Sequence, residues 1–176
     1  QLIERLNNGL NHKLTLISAS AGFGKTTLLT EWVSQCKIPV AWISLDKSDN
    51  DFAHFIQYFV ASLKPIKASI GKSALSVLQS PQKPGIESIT ITLIKEISDI
   101  PNDLVIIFDD YHAIDTQEIH KTVELLLDYL PTHIHFVIAT RVDPPLPLAR
   151  LSVNNQLTQL RTVDLCFTPD ETTLFF

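Results

Sequence analysis

Along the chain, short uninterrupted apolar runs alternate with longer stretches in which apolar residues return every third or fourth position. That alternation predicts an α/β domain built on a mainly parallel sheet. The runs over Leu14–Ser18, 40–45, 104–108 and 135–139 read as buried strands, and Leu157–Arg161 as a weaker fifth. Between them, Phe52, Phe55, Ile56, Phe59, Val60 and Leu63 recur with the helical period, behind the potential caps Asp49, Asn50 and Asp51 and ahead of Pro65. Ile119, Val123, Leu126, Leu127 and Leu130 repeat the pattern, opened by Asp115 or Thr116 and closed by Pro131. The stretch 86–98 fits both periods, since Ile89, Ile91 and Leu93 alternate like a strand while Ile86, Ile89, Leu93, Ile94 and Ile97 repeat like a helix; its length decides for helix. Residues 66–84 form a Ser-, Lys- and Gln-rich connector with one short helix around 74–78.

A chain of 176 residues is of single-domain length, and 45% apolar with 19% charged residues favours a packed core over disorder. Fourteen Lys plus Arg against nineteen Asp plus Glu give 14 − 19 = −5, and no basic stripe appears, which argues against direct nucleic-acid contact by this fragment. The longest stretches free of charged residues, such as 52–63, are shorter than the roughly 18–20 residues of a membrane span, so a soluble, cytoplasmic protein is expected. Cys36 and Cys166 have no metal or redox spacing and read as two buried thiols in a reducing compartment. The chain has no Met and no secretory leader, as expected of an excerpt from a longer protein. Thr168, Pro169, Asp170 and Glu171 form a capping box with Pro at the first helical position. Residues 1–165 are therefore read as the main domain and 166–176 as the truncated start of a helical one.

The strongest chemical signal is Ala19-Ser-Ala-Gly-Phe-Gly-Lys-Thr-Thr27, which follows the first strand and leads into a helical stretch over 26–34. This is a phosphate-binding loop in the context such a loop requires. Gly22 and Gly24 let the backbone aim successive N–H groups at an anion, and the helix that follows adds the positive end of its dipole. Ala21, Gly22, Phe23, Gly24, Lys25, Thr26 and Thr27 are the candidate nucleotide-binding residues: Lys25 for the β- and γ-phosphates, Thr26 for Mg²⁺, Thr27 near the α-phosphate. Ala19 stands where the strict pattern has Gly.

The run 104–108 ends in Asp109 and Asp110, at the end of a strand where open α/β sheets place their ligands. Asp109 would hold Mg²⁺ directly or through water, and Asp110 would orient or deprotonate an attacking water. The strand over 135–139 leads to Thr140 and Arg141, which places a guanidinium at the same rim for a γ-phosphate. Arg150 and Arg161 are alternatives that spacing does not separate from Arg141. Asp46-Lys-Ser-Asp-Asn-Asp51 resembles the start of a calcium loop but lacks its Gly and Glu positions, so helix capping explains it better. His133 and His135 have no partner to complete a metal site and are expected as loop and strand-edge residues.

Together, the loop 14–27, the segment 40–46, Asp49-Asn50, Phe108-Asp-Asp-Tyr-His112 and 139–150 resemble the signal-transduction ATPases with numerous domains, and within them the MalT-like, LuxR-type large transcription regulators. The segment 165–171 is similar to that family's entry into its next domain. The resemblance implies a P-loop NTPase with five parallel strands in the order 5-1-4-3-2, ATP or ADP with Mg²⁺ as cofactors, slow hydrolysis coupled to a switch, and nucleotide-dependent self-association. It further implies helical, sensor and helix-turn-helix DNA-binding domains downstream. A small-molecule kinase is the competing enzyme reading, though no Arg-rich lid is evident; a module that holds nucleotide without turnover is the non-enzymatic one.

Overall fold

A computed structural model of the chain describes residues 1–82 and 84–166. Parallel strands β1 (Leu14–Ser18), β2 (Val40–Ser44), β3 (Leu104–Asp109), β4 (Ile134–Thr140) and β5 (Leu157–Arg161) form one sheet in the order β2-β3-β4-β1-β5. This is the expected order, counted from the opposite edge. The helices are α1 (Leu2–Gly9), α2 (Lys25–Gln35), α3 (Phe52–Leu63), α4 (Lys72–Leu78), α5 (Ile86–Ser98), α6 (Gln117–Tyr129), α7 (Leu148–Val153) and α8 (Thr162–Leu165). The ambiguous 86–98 stretch is helical, with Ile89, Leu93, Ile94 and Ile97 buried on one face.

The period of two along β3 explains why the sheet needs helices on both sides. Leu104, Ile106 and Phe108 join the cluster that contains Phe55 and Phe59 of α3, Leu93 of α5 and Leu126 of α6. Val105 and Ile107 join the opposite cluster, with Leu6 of α1 and Leu28, Leu29 and Trp32 of α2. Each large apolar side chain so buried contributes about 1.5–3 kcal/mol. At the end of β3, Phe108 stacks between Phe55 and Phe136, with ring centroids at 6.0 and 6.2 Å. The strand residue just before the acidic pair is thus held on both sides by aromatic rings of the core.

Several sequence expectations change. The thiols are not both buried: Cys36 is half-buried and Cys166 exposed. His135 lies inside the central strand β4 and is buried, not at a strand edge, whereas His133 sits in the preceding loop with Nε2 at 2.7 Å from the Ile100 carbonyl. Among the described residues no cluster of His, Cys, Asp or Glu has the makeup of a metal site. No helix among them is long and apolar enough to cross a membrane. The capping box at 168–171, and all but the first residue of the expected next domain, lie outside the described residues.

The Asp-rich segment after β2 is a set of caps, as expected. Asp46 accepts the Ser48 amide, Asp49 accepts the Asp46 amide, and Asp51 accepts the His54 amide at the start of α3, each at 2.8 Å. Asn50 does something else. Its Nδ2 donates to the Ala113 carbonyl at 2.9 Å, its Oδ1 accepts the Asp115 amide at 2.8 Å, and the Thr116 hydroxyl donates to both its Oδ1 and its own carbonyl at 3.0 Å. One side chain therefore clasps the loop that follows β3. Asn50→Ala is expected to cost about 1–2 kcal/mol, because the part-buried bonds to Ala113 and Thr116 are lost while the exposed Asp115 amide turns to water. The melting midpoint should fall by roughly 2–8 °C; an unchanged midpoint would show that solvent replaces the clasp.

Candidate functional site

The rim at the C-terminal ends of β1, β3 and β4 is built from the loop upward. Ala19 leaves β1 with its amide donating to the Thr140 carbonyl of β4 at 3.1 Å, so the loop starts tied to the neighbouring strand tip. Gly22 and Gly24 have φ of +85° and +74°. A Cβ at either would meet nothing within 4 Å, so the left-handed backbone, not lack of room, selects glycine. Gly24 caps α2 without any side-chain acceptor, which leaves the first-turn amides of α2 free for an outside anion. Ala21, Gly22, Gly24, Lys25, Thr26 and Thr27 line a concavity of about 170 Å³, closed on the far side by Asp110 and Arg141.

Lys25 is buried, and its ammonium donates to the Ala19 and Ser20 carbonyls at 2.6 and 3.0 Å, so a cation sits within the curve of the loop. Burial lowers its pKa and the nearby Arg141 lowers it further, against the pull of Asp110 and Asp109. Asp109 ends β3 at 2% exposure. Its Oδ2 accepts the Thr26 hydroxyl at 2.8 Å and its Oδ1 accepts the Asp110 amide at 2.9 Å. Burial pushes its carboxyl above the ordinary value, with the Thr26 bond acting in the opposite direction. A hydroxyl and a carboxylate in contact, both hard oxygen donors, fit a Mg²⁺ that keeps several of its waters.

Asp110 adopts φ 54° and ψ 41°, a left-handed conformation unusual for a residue with a side chain. It is held there by the 3-10 turn Tyr111–Ala113, in which the Ala113 amide donates to the Asp110 carbonyl at 3.0 Å. Tyr111 anchors the turn in the core, its hydroxyl 2.8 Å from His120 Nδ1. Arg141 follows β4 directly, and its amide donates to His112 Nδ1 at 3.3 Å. The other late arginines are engaged elsewhere. Arg150 pairs with Asp128 on α6 at 2.9 Å, and Arg161 at the tip of β5 bonds Asp143 and Gln159.

Apart from the alternatives Arg150 and Arg161, the sequence-predicted residues meet at this rim except Phe23, which turns to the other side of the loop. There it lines a mostly apolar cavity of about 400 Å³ with Gly22, Gly24, Leu165 and Cys166. Sequence reasoning assigned no role to Leu165 or Cys166 here, nor to His112, Asn50 or Asp143. Larger concavities of about 470 and 640 Å³ lie beside α4 and between α5 and α6, but neither includes the loop or the acidic pair.

No protein-family profile matches the chain. The fold superposes on a signal transduction ATPase with numerous domains, carrying a tetratricopeptide repeat sensor, from Pyrococcus horikoshii, with TM-score 0.64 and 19% identity over 97% of this chain and 24% of that one. A Walker-type ATPase of Pyrococcus abyssi gives TM-score 0.59 and 13% identity over 99% of this chain and 55% of that one. The chain has the P-loop ATPase fold. In sequence it is similar along its whole length to HTH-type transcriptional regulators MalT: 33% identical to that of Serratia proteamaculans, 32% to that of Cronobacter sakazakii and 31% to that of Vibrio campbellii. It spans 19% of the length of each of these relatives.

The anchor beneath Asp110 makes stability depend on pH. Burial lowers the His120 pKa, so the folded state keeps the ring neutral where the unfolded chain, titrating near pH 6.5, takes up a proton. The unfolded state then binds more protons, so stability is full above about pH 6.5 and falls as pH drops through the folded-state value. His112 is lowered as well and adds the same sign. Urea midpoints should fall between about pH 7 and pH 5 in the wild type and fall less in His120→Gln; equal slopes would remove His120 from the account.

Proposed function

We propose that this chain is the nucleotide-binding switch domain of a MalT-type transcription regulator, one that binds ATP or ADP with Mg²⁺ and hydrolyses ATP slowly. The observation that carries this reading is the 2.8 Å bond from the Thr26 hydroxyl to Asp109, which joins the glycine loop to the acidic strand end across the sheet. Bound Mg²⁺ would be held by Thr26 and Asp109 and would neutralise charge on the β- and γ-phosphate oxygens. The loop amides and the α2 terminus bind the phosphates. Lys25 turns from the Ala19 and Ser20 carbonyls to the β- and γ-phosphates, and Thr27 lies toward the α-phosphate. Asp110 orients the attacking water or takes its proton, and Arg141, across the concavity, contacts the γ-phosphate. The base lies in the apolar cavity of Phe23, Leu165 and Cys166, since 170 Å³ suits phosphates and not a whole nucleotide.

The similarity to MalT regulators supports a cytoplasmic setting, with helical, sensor and DNA-binding helix-turn-helix domains as partners in the same chain and self-association governed by the nucleotide. The reading is tested in the full-length protein by melting with and without ATP and Mg²⁺. At a hundredfold excess over Kd a ligand adds about 2.7 kcal/mol, which should raise the midpoint of this domain's own transition by roughly 5–10 °C and fail to do so in Lys25→Ala. Phosphate release without any acceptor distinguishes hydrolysis from transfer. Asp110→Asn should slow that release by about 10²-fold or more, and a wild-type rate would remove Asp110 from the chemistry.

A further inference from the structure

Away from the rim, α5 and α6 turn a partly apolar face to solvent. Thr90 Oγ1 on α5 and Thr122 Oγ1 on α6 lie 3.2 Å apart, and the carbonyl of Ile100, just past α5, lies 2.7 Å from Nε2 of His133, just past α6. The two helices therefore run side by side in the same direction. The concavity of about 640 Å³ between them is floored by Ile94 and Leu125 and flanked by Ile91 and Tyr129. Those last two are large apolar side chains left 46% and 67% exposed.

The charges on this face are ordered. Residues four apart stand one above another on a helix, so α5 presents Glu87, Ile91 and Lys95 as one exposed row with an anion at one end, an apolar centre and a cation at the other. A second copy laid on it antiparallel, about a two-fold axis beside Ile91, brings Lys95 of each copy to Glu87 of the other and the two Ile91 side chains together. The same axis reverses the α6 row of Lys121, Leu125 and Tyr129, setting Lys121 of one copy toward the Tyr129 ring of the other, whose π face attracts a cation. A partner of a single charge sign matches only one end of the α5 row, whereas a copy of the chain matches both.

We propose that the α5–α6 face is an isologous contact between two copies of this chain, with Ile91 at its centre and the two Glu87–Lys95 pairs at its ends. Glu87 and Lys95 stand about 12 Å apart along α5. Two helices of 13 residues make a face at the small end of interface sizes, so the pairing is concentration-dependent and not permanent. The proposal stands apart from the nucleotide reading, because none of these residues lines the concavity of the glycine loop.

Sedimentation of the full-length protein over a concentration series, with ATP and Mg²⁺ and without nucleotide, tests the contact. Glu87→Lys and Lys95→Glu should each weaken self-association by about 10-fold or more, because each sets like charges together twice across the axis. The double variant Glu87→Lys/Lys95→Glu should associate within about 3-fold of wild type. So should an equimolar mixture of the two single variants, in which Lys95 of one meets Glu87 of the other and the introduced lysine meets the introduced glutamate. Rescue by mixing belongs to a two-fold contact that joins these rows, and a loss of folding does not produce it. The inference is overturned by single variants that associate like wild type, by a mixture as weak as its components, or by a wild-type protein that stays monomeric at every concentration in both conditions. An Ile91→Arg protein of unchanged mass but lowered melting midpoint would assign the face to another segment of the same chain, and overturns it as well.

Discussion

A strand covered on both faces has no surface on which to offer chemistry, so its polar groups emerge at its ends. β3 is in that position, with all six residues buried. Its neighbours end beside it: Ser44 is level with Asp109, and Ser18 is level with both Thr140 and Arg161. Because the strands run parallel, their C-terminal ends form one rim. The glycine loop, the acidic pair and Arg141 meet there although more than a hundred residues separate the first from the last. The covering helices thus do more than stabilise the sheet, since they leave the rim as the place where charge accumulates.

That accumulation works against folding stability. Asp109 is buried beside a second carboxylate, the Lys25 ammonium turns inward, and Asp110 adopts a backbone conformation that side chains disfavour. Each group is partly compensated by the others: Thr26 and the Asp110 amide satisfy Asp109, and two carbonyls satisfy Lys25.

How much of this was legible depended on whether a residue's role is periodic or singular. The strands, their order and the long helices follow from repeated apolar spacing, as in Phe52 to Leu63, or from family resemblance. α1 carried a readable stripe, Leu2, Ile3 and Leu6, that passed unused because it opens the chain with no side-chain cap at Gln1. α7 spans six residues after Pro147, too few for a period to declare itself. The loop 19–27 was readable because phosphate chemistry constrains neighbours in sequence. The bonds of His112 and Asn50 were not, since their partners, Arg141 for the one and Ala113, Asp115 and Thr116 for the other, lie far away in the chain. Cys166 was misjudged because a thiol's burial depends on what packs over it, here at the edge of a cavity.

The corner where β5 meets α8 differs from the rest in what holds it. Arg5 of α1 bonds Asp164 of α8 and the Gln159 carbonyl, Asp164 accepts the Arg161 amide, and Arg161 bonds Asp143, two residues beyond Arg141. The Arg161 and Asp143 side chains are 39% and 49% exposed, so counterions reach this chain of charges. At physiological ionic strength the screening length is about 8 Å. Dissolved salt therefore acts selectively on this molecule. It slackens the tether that runs from the amino-terminal helix to the loop after β4, while the apolar sheet beneath is untouched by screening.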